Sequence, residues 1–315
     1  MTRTHRLRRP KLWQLALTAG IMGMPFVAPL LPAATPSFVG LAHATDVKPA
    51  DTSRLVSIGG AVTEIIYALG EQGRLIARDS TSLYPEAATK LPDVGYMRQL
   101  SPEGVLAVNP TAIIAIDGSG PPEALSVLRA ASVPFGTVPE TFGRDGILNK
   151  IDSVGTFLGV EDKAKVLHAS VAADLDAVLA EVAKRPEAER KRVLFVLSMQ
   201  NGKVLASGTG TAADGILKLA GAINAVGTFP GYKPLSDEAI IEAKPDVILM
   251  MDRSGNHGAA SDELFAHPAM SLTPAAKTKA LIRMNGLHLL GFGPRTASAV
   301  RELNADIYGP AHVSE

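Results

Sequence analysis

One tyrosine on a short polar loop is the side chain here best suited to bonding a hard metal ion. Tyr84 lies in Asp79-Ser80-Thr81-Ser82-Leu83-Tyr84-Pro85, after an apolar segment, Leu75-Ile76-Ala77, that reads as a strand. The proline behind it disfavours helix at the tyrosine. A phenolate oxygen is a hard donor suited to ferric iron, and tyrosine is one of the few side chains that hold haem iron axially. Read alone, a Tyr-Pro pair is more simply a surface residue after a turn.

Other residues could line the same site. Arg253 follows a strand ending at Met251 and begins the loop Arg253-Ser254-Gly255-Asn256-His257-Gly258. A guanidinium there would favour a phenolate or clamp a carboxylate; a solvated loop arginine is the plainer reading. Arg98, just after Tyr96, is a candidate of the same kind, whereas Arg78 is expected to be spent on Asp79 or on solvent. Ser207-Gly208-Thr209-Gly210 precedes a helix, and a glycine-rich helix start suits an anion or is an ordinary capped turn. It lacks the G-x-x-x-x-G-K pattern of a nucleotide loop. Four histidines come into question as ligands. His257 could supply a second axial bond, though a structural or solvent role is simpler; His168 reads as a packing or surface residue, and His267 and His288 carry no ligand motif. No H-E-x-x-H and no G-x-S-x-G occurs, so a bare metal site and a serine hydrolase are both poorly supported.

The elements that must position these residues alternate between strand and helix. Arg54-Leu55-Val56-Ser57-Ile58 reads as a strand running into Gly59-Gly60, and Val62 to Leu69 as a helix ending at Gly70. Ile113 to Ile116 is a second strand, followed by the loop Asp117 to Pro122, a helix from Glu123 to Ala131 and a third strand near Val133-Pro134-Phe135. Such alternation implies a mainly parallel sheet, which binds ligands outside its strand carboxyl ends. Residues 144 to 184 have helical spacing broken at Gly159, and the second run is long enough, at roughly 35 Å, to cross between two lobes. The plan then repeats: a strand over Arg192 to Leu197, a turn at Gly202, a return strand over Val204 to Ala206, a helix from Thr211 to Gly221, and a strand over Val247 to Met250.

An internal match strengthens the repeat. LSPEGVLAVNPTAIIA at 100 to 115 aligns without gaps to LSDEAIIEAKPDVILM at 235 to 250, which points to a duplicated lobe. Within it Glu103 and Glu238 are equivalent, each near a helix start after a serine able to cap it, Ser101 or Ser236. A glutamate there is explained equally well by the helix dipole.

The string DSTSLYPEAATKLPDVGYMRQLSPEGVLAVNP, residues 79 to 110, resembles the corresponding region of periplasmic haemin-binding proteins that feed bacterial haem-uptake ABC transporters. The resemblance returns in Leu289-Leu290-Gly291-Phe292-Gly293-Pro294-Arg295. It implies that Tyr84 takes the place of the haem-ligating tyrosine; if the cargo is haem, Arg253, Arg98, Ser207, Thr209 and His257 are, by their loop positions, the candidates to face the cleft or a propionate. It also implies that a rigid helix joins the lobes, and that Glu103 and Glu238 dock on arginines of an inner-membrane ABC permease. The tyrosine loop points to haem; the remainder points only to the wider cobalamin- and siderophore-binding class.

Composition supplies an address. The chain has 315 residues, 31 basic, 31 acidic and no cysteine, which rules out a disulfide framework and a lipid-modified cysteine. Residues 1–44 read as an export signal: a basic leader (Arg3, Arg6, Arg8, Arg9, Lys11), an apolar run broken by Pro25 and Pro29, and Ala42-His43-Ala44 as cleavage site. Arg8-Arg9 hints at twin-arginine export, but the residues after the pair fit the Sec route better. The mature chain then carries 26 basic against 31 acidic residues, which argues against nucleic acid as partner.

The expectation is therefore an α/β protein of two similar lobes, each a mainly parallel sheet flanked by helices, with the ligand cleft between them. The lobes are expected at 45–143 and 185–315, joined by a helical connector at 144–184. The expected function is a monomeric periplasmic carrier, not an enzyme, that takes haem from an outer-membrane receptor pathway to the permease. The alternatives are a cobalamin or ferric-siderophore carrier on the same scaffold, and an exported enzyme using Asp79 or Asp117.

Overall fold

The computed structural model describes residues 51–252 and 261–309; the expected export signal with its expected cleavage after Ala44, and the loop bearing Arg253 and His257, lie outside the described residues. The first lobe comprises β1 (Leu55–Ile58), α1 (Gly60–Ala68), β2 (Leu75–Arg78), α2 (Pro102–Leu106), β3 (Ala112–Ile116), α3 (Pro122–Ala130) and β4 (Phe135–Val138). Its sheet, ordered β2-β1-β3-β4, is parallel throughout. Every residue of β1 and β3 is buried, because helices cover both faces of a parallel sheet and leave no solvated side.

Two helices follow, α4 (Arg144–Leu158) and α5 (Glu161–Val182). Gly159, at φ 67° in the left-handed region, ends α4 and reverses the chain. At 22 residues α5 runs for about 33 Å. Its apolar stripe, Val171, Leu175 and Val178, is buried, and α5 packs on α4 and on α11 (introduced below).

The second lobe comprises β5 (Arg192–Gln200), β6 (Lys203–Ser207), α6 (Ala212–Leu219), β7 (Ile223–Asn224), β8 (Tyr232–Leu235), α7 (Asp237–Ala243) and β9 (Val247–Asp252). It continues with α8 (Ser261–Ala266), α9 (Pro274–Thr278), β10 (Leu281–Asn285), α10 (Gly286–Leu290) and α11 (Thr296–Tyr308). Its sheet runs β10-β9-β5-β6-β8, with β7 also on β5; β5, β7, β9 and β10 are parallel, while β6 and β8 add an antiparallel extension. Asn201 and Gly202, both at positive φ, make the two-residue hairpin that sends β6 back along β5.

The strand expected near Val133-Pro134-Phe135 is β4, whose pairing begins at Phe135. Proline cannot donate to a ladder, so pairing starts after Pro134. It then runs through Gly136, where the Phe157 ring sits 2.5 Å from where a β-carbon would be.

The duplication is visible in bonding as well as in sequence. Ser101 caps α2 through the Gly104 amide and Ser236 caps α7 through the Ala239 amide. Equivalent residues Asn109 and Lys244 take left-handed φ values of 52° and 43° before equivalent prolines. Arg54 enters β1 and its Nε donates to the Asn109 carbonyl; Arg192 enters β5 and its Nε donates to the Ala243 carbonyl. An arginine at the base of each lobe thus holds the end of each repeat helix.

Core residues of both lobes form one cluster around α4 and α5, from Leu55, Ile65 and Ile114 to Val193, Phe195 and Val300. Two smaller clusters fill the far face of each sheet. A shared core resists wide hinge motion, since opening it would expose apolar area at about 25 cal/mol per Å². Among the described residues no helix is long and apolar enough to cross a membrane.

Candidate functional site

Asp79 organises the tyrosine loop. Its side chain is fully buried at the carboxyl end of β2 and accepts from the Gly59 amide (2.8 Å) and Ser82 Oγ (2.6 Å) on Oδ1, and from the Thr81 amide (2.9 Å) and Thr81 Oγ1 (2.5 Å) on Oδ2. Ser82 continues into a buried hydroxyl chain with Thr63 and Ser57, each link 2.7 Å. The side chains of Asp79, Thr81 and Ser82 are thus consumed internally, which fixes the loop on β1 and α1. Tyr84 itself is 42 % exposed, so the braced loop presents its phenol outward. Arg78 also turns inward, paired with Asp93 at 2.6 Å.

The ring of Tyr84 is covered from the second lobe. The guanidinium carbon of Arg295, at the start of α11, lies 3.5 Å from the ring centroid. Arg295 is held by Glu64 of α1, which is buried: its Nη2 donates to Oε2 at 2.9 Å and its backbone amide to Oε1 at 3.2 Å. On the other side Nη1 meets His288 Nδ1 at 3.3 Å, and His288 Nε2 meets Glu302 at 3.1 Å. Where Gly60 has only hydrogen, a β-carbon would stand 2.5 Å from Leu287, so the start of α1 and α10 approach closely.

A second polar tie crosses the lobes beside it. Lys150 of α4 is fully buried, with its ammonium on the Glu140 carboxylate, 3.2 Å from the Phe292 carbonyl and over the Phe292 ring. Burial pushes Lys150 down and Glu140 up from their ordinary values, opposed in each case by the partner's charge. Glu140 also feels the charges of Asp117 and Arg98, so these loops meet at one sheet edge.

Arg98 is exposed, donates to the Tyr96 hydroxyl at 3.1 Å and lies near enough to Tyr232 of β8 for its charge to act there. Tyr232 packs edge-to-face on Phe195, and burial pushes its phenol up although Thr211 and the Ala213 amide at the start of α6 oppose this. Tyr84, Tyr96 and Arg98 thus lie in the loops beyond the carboxyl end of β2, with Arg295 over Tyr84 and with Tyr232, the first residue of β8, within reach of the Arg98 charge.

The serine and threonine of the glycine-rich loop are engaged within the lobe. Ser207 is fully buried and bonds the Gly208 carbonyl and Thr211 Oγ1; Thr209 Oγ1 bonds the Phe229 carbonyl. The Gly210 amide, the natural anion donor there, is taken by Asp214. Of the remaining histidines, His168 pairs with Asp152 at 2.9 Å on the connector, and His267 bonds the Gly202 carbonyl. Among the described residues no group of acidic, histidine or cysteine side chains could hold a bare metal ion.

Glu103 and Glu238 are exposed in the first turns of α2 and α7. Each carboxyl is held below its ordinary value by its own backbone amide and by the capping serine. The α2 helix starts beside the loop after β3, where the Leu100 amide bonds the Gly120 carbonyl, and α7 begins directly after β8.

The model of the periplasmic binding protein family matches residues 55–286. The chain belongs to the periplasmic binding protein family. Two solved members of this family stand out in similarity. The periplasmic heme-binding protein BhuT, solved in complex with two hemes, is 37 % identical at a TM-score of 0.76, covering 81 % of this chain and 97 % of that one. The periplasmic heme-binding protein RhuT from Roseiflexus sp. RS-1 is 36 % identical at the same TM-score, covering 81 % and 98 %. The vitamin B12-binding protein of Vibrio parahaemolyticus is 25 % identical over 251 residues, 79 % of this chain and 87 % of that protein. The two-lobed α/β architecture and the class of substrate-binding transport proteins expected from the sequence are thus established.

Arg295, Glu64, Tyr232 and the Lys150–Glu140 pair were not singled out in the sequence. Arg295 ends the Gly291-Phe292-Gly293-Pro294-Arg295 string, and its distance from Tyr84 in the chain hid the contact. A lysine inside the otherwise apolar stripe of α4 was the available signal for the buried pair.

Proposed function

We propose that this periplasmic binding protein is exported, binds ferric haem between its lobes through a Tyr84 phenolate, and delivers it to an inner-membrane ABC permease. The observation that carries the reading is the exposed Tyr84 residue on a loop whose Thr81 and Ser82 side chains are tied inward on Asp79. An iron ligand needs that combination: an accessible oxygen on a support that does not yield. The named cargo of BhuT and RhuT supports haem. Affinity would come mainly from burying the macrocycle, and the iron bond would select it.

In this reading the mature chain starts after Ala44 and acts as a monomer, with lobes at 45–143 and 185–315 and the connector at 144–184. Arg98 and, in the loop outside the described residues, Arg253 and His257 are the candidates to face the macrocycle or its propionates. Glu103 and Glu238 are the docking carboxylates. An outer-membrane haem receptor acts upstream, and no turnover is assigned to the protein.

Cobalamin is the second reading, favoured by the vitamin B12-binding relative. Titration of the purified mature chain with haemin, cyanocobalamin and a ferric siderophore, singly and in competition, decides the cargo. Saturable haemin binding that the other two do not displace is expected; cobalamin binding with no haemin binding would overturn the haem assignment.

A further inference from the structure

Tyr84 and Arg295 are separated by most of the chain, yet the arginine's plane closes one face of the phenol ring. What fixes the arginine is a carboxylate that never reaches the cleft edge: Glu64 is buried in α1 and takes two bonds from Arg295, one from the side chain and one from the backbone. Gly293, just before, packs against the same carboxylate, at 3.3 Å from where its β-carbon would be. His288 and Glu302 complete the support from α10 and α11. The contact thus runs first lobe, second lobe, first lobe: Glu64, Arg295, Tyr84.

We propose that Arg295 is the positioning residue for the Tyr84 iron ligand and that Glu64, through Arg295, makes the iron bond depend on the lobes being in contact. The proposal rests on the haem reading above. A phenol oxygen bonded to Fe(III) carries negative charge delocalised into its ring, and a guanidinium over the ring face offsets that charge without competing for the oxygen. The planar fork also blocks ring rotation, so the oxygen is aimed before the macrocycle arrives. A small shear between the lobes on docking, within what their shared core allows, would shift Arg295 off the Tyr84 ring while the oxygen stays on the loop braced by Asp79. The iron bond then loses its counter-charge and its aim together, a direct route from docking to release.

The test uses the mature chain loaded with ferric haem, in four variants: Tyr84→Phe, Arg295→Ala, Arg295→Lys and Glu64→Gln. Readouts are the tyrosinate charge-transfer absorption, the iron–phenolate resonance Raman bands and the rate of haem transfer to apomyoglobin. Arg295→Ala should retain haem but shift the iron–phenolate bands and release haem roughly tenfold faster. Glu64→Gln should move the same bands in the same direction, although Glu64 touches no part of the tyrosine. Arg295→Lys, which keeps the charge but loses the planar fork, should restore part of the wild-type signature. A merely structural role for the pair would lower thermal stability with the bands unmoved, and that result overturns the proposal. Wild-type bands and release rate in Arg295→Ala overturn it as well, while loss of the bands in Tyr84→Phe would leave the ligand assignment standing. Should Arg295→Ala fail to fold, the Lys and Gln variants decide by the same criteria. Unchanged bands in Tyr84→Phe would instead refute the ligand reading itself.

Discussion

The guanidinium of Arg295 stacks 3.5 Å above the ring centroid of Tyr84, so the residue best suited to bond iron is walled by a side chain from the opposite lobe. The loop beneath it is anchored by one buried carboxylate, and the helix that holds the arginine belongs to the same lobe as the tyrosine. The tyrosine is thus held by its own loop below and by Arg295 on one ring face, and it remains 42 % exposed.

Asp79 should matter to cargo binding without touching the cargo. It accepts four hydrogen bonds in a buried site, each worth about 1.5–3 kcal/mol when the acceptor is charged. Asp79→Ala is expected to lower unfolding free energy by about 3 kcal/mol and to weaken haem binding more than tenfold. Chemical denaturation and haem titration check the two effects separately.

The Lys150–Glu140 pair should behave as a coupled unit. Removing one partner of a buried ion pair strands the other, at a cost of roughly 3 kcal/mol, whereas replacing both is often near neutral. Lys150→Met alone should lower the melting temperature by several degrees, and Lys150→Met with Glu140→Gln should recover most of the loss. A double-mutant cycle by thermal unfolding measures the coupling.

Asp214 gives a stability term with a defined pH window. Burial by itself would raise its carboxyl, but bonds from Lys218, Asn224 and the Gly210 amide outweigh this and hold it below the usual 3.8. A depressed folded-state value means the contribution is complete above 3.8 and is lost as pH falls through the folded value. Asp214→Asn should therefore cost about 1–2 kcal/mol at pH 7, with the gap from wild type closing below pH 3.8. Urea unfolding across pH 2.5–7 checks it.

The docking carboxylates should separate transport from binding. Glu103 and Glu238 are exposed on equivalent helix starts, and among the described residues no side-chain bond ties either to the Asp79–Tyr84 loop. Reversing both to Lys should abolish haem uptake in cells that depend on it, with haem affinity unchanged within about twofold, because rim charges steer association without supplying cargo contacts.

How much of this could be read beforehand follows from locality. β1, β3 and β9 are uninterrupted apolar runs, and the two halves of 144–184 keep helical spacing on either side of Gly159, so the lobes and their connector were visible in the pattern. The paired helices carrying Glu103 and Glu238 were visible because the chain repeats itself. β4 lies where the Val133-Pro134-Phe135 segment indicates, with its pairing beginning beyond Pro134 and with Gly136 leaving room for the Phe157 ring. A phenol on a polar loop is a local signal, so Tyr84 could be picked out as a candidate. Its partner could not, because Glu64, Arg295 and Tyr84 come from three separate segments and nothing local in any of them marks a shared site. Ser207 shows the converse: a glycine-rich string resembles an anion site, yet its hydroxyl and the neighbouring amide are spent on Thr211 and Asp214.

The most direct test is the visible absorption spectrum of the mature protein saturated with ferric haem, recorded beside that of Tyr84→Phe. A tyrosinate-type ferric spectrum in the first and its loss in the second is the predicted result. Identical spectra, or no haem taken up by the wild-type chain, would contradict the assignment of Tyr84 as the residue that bonds the iron.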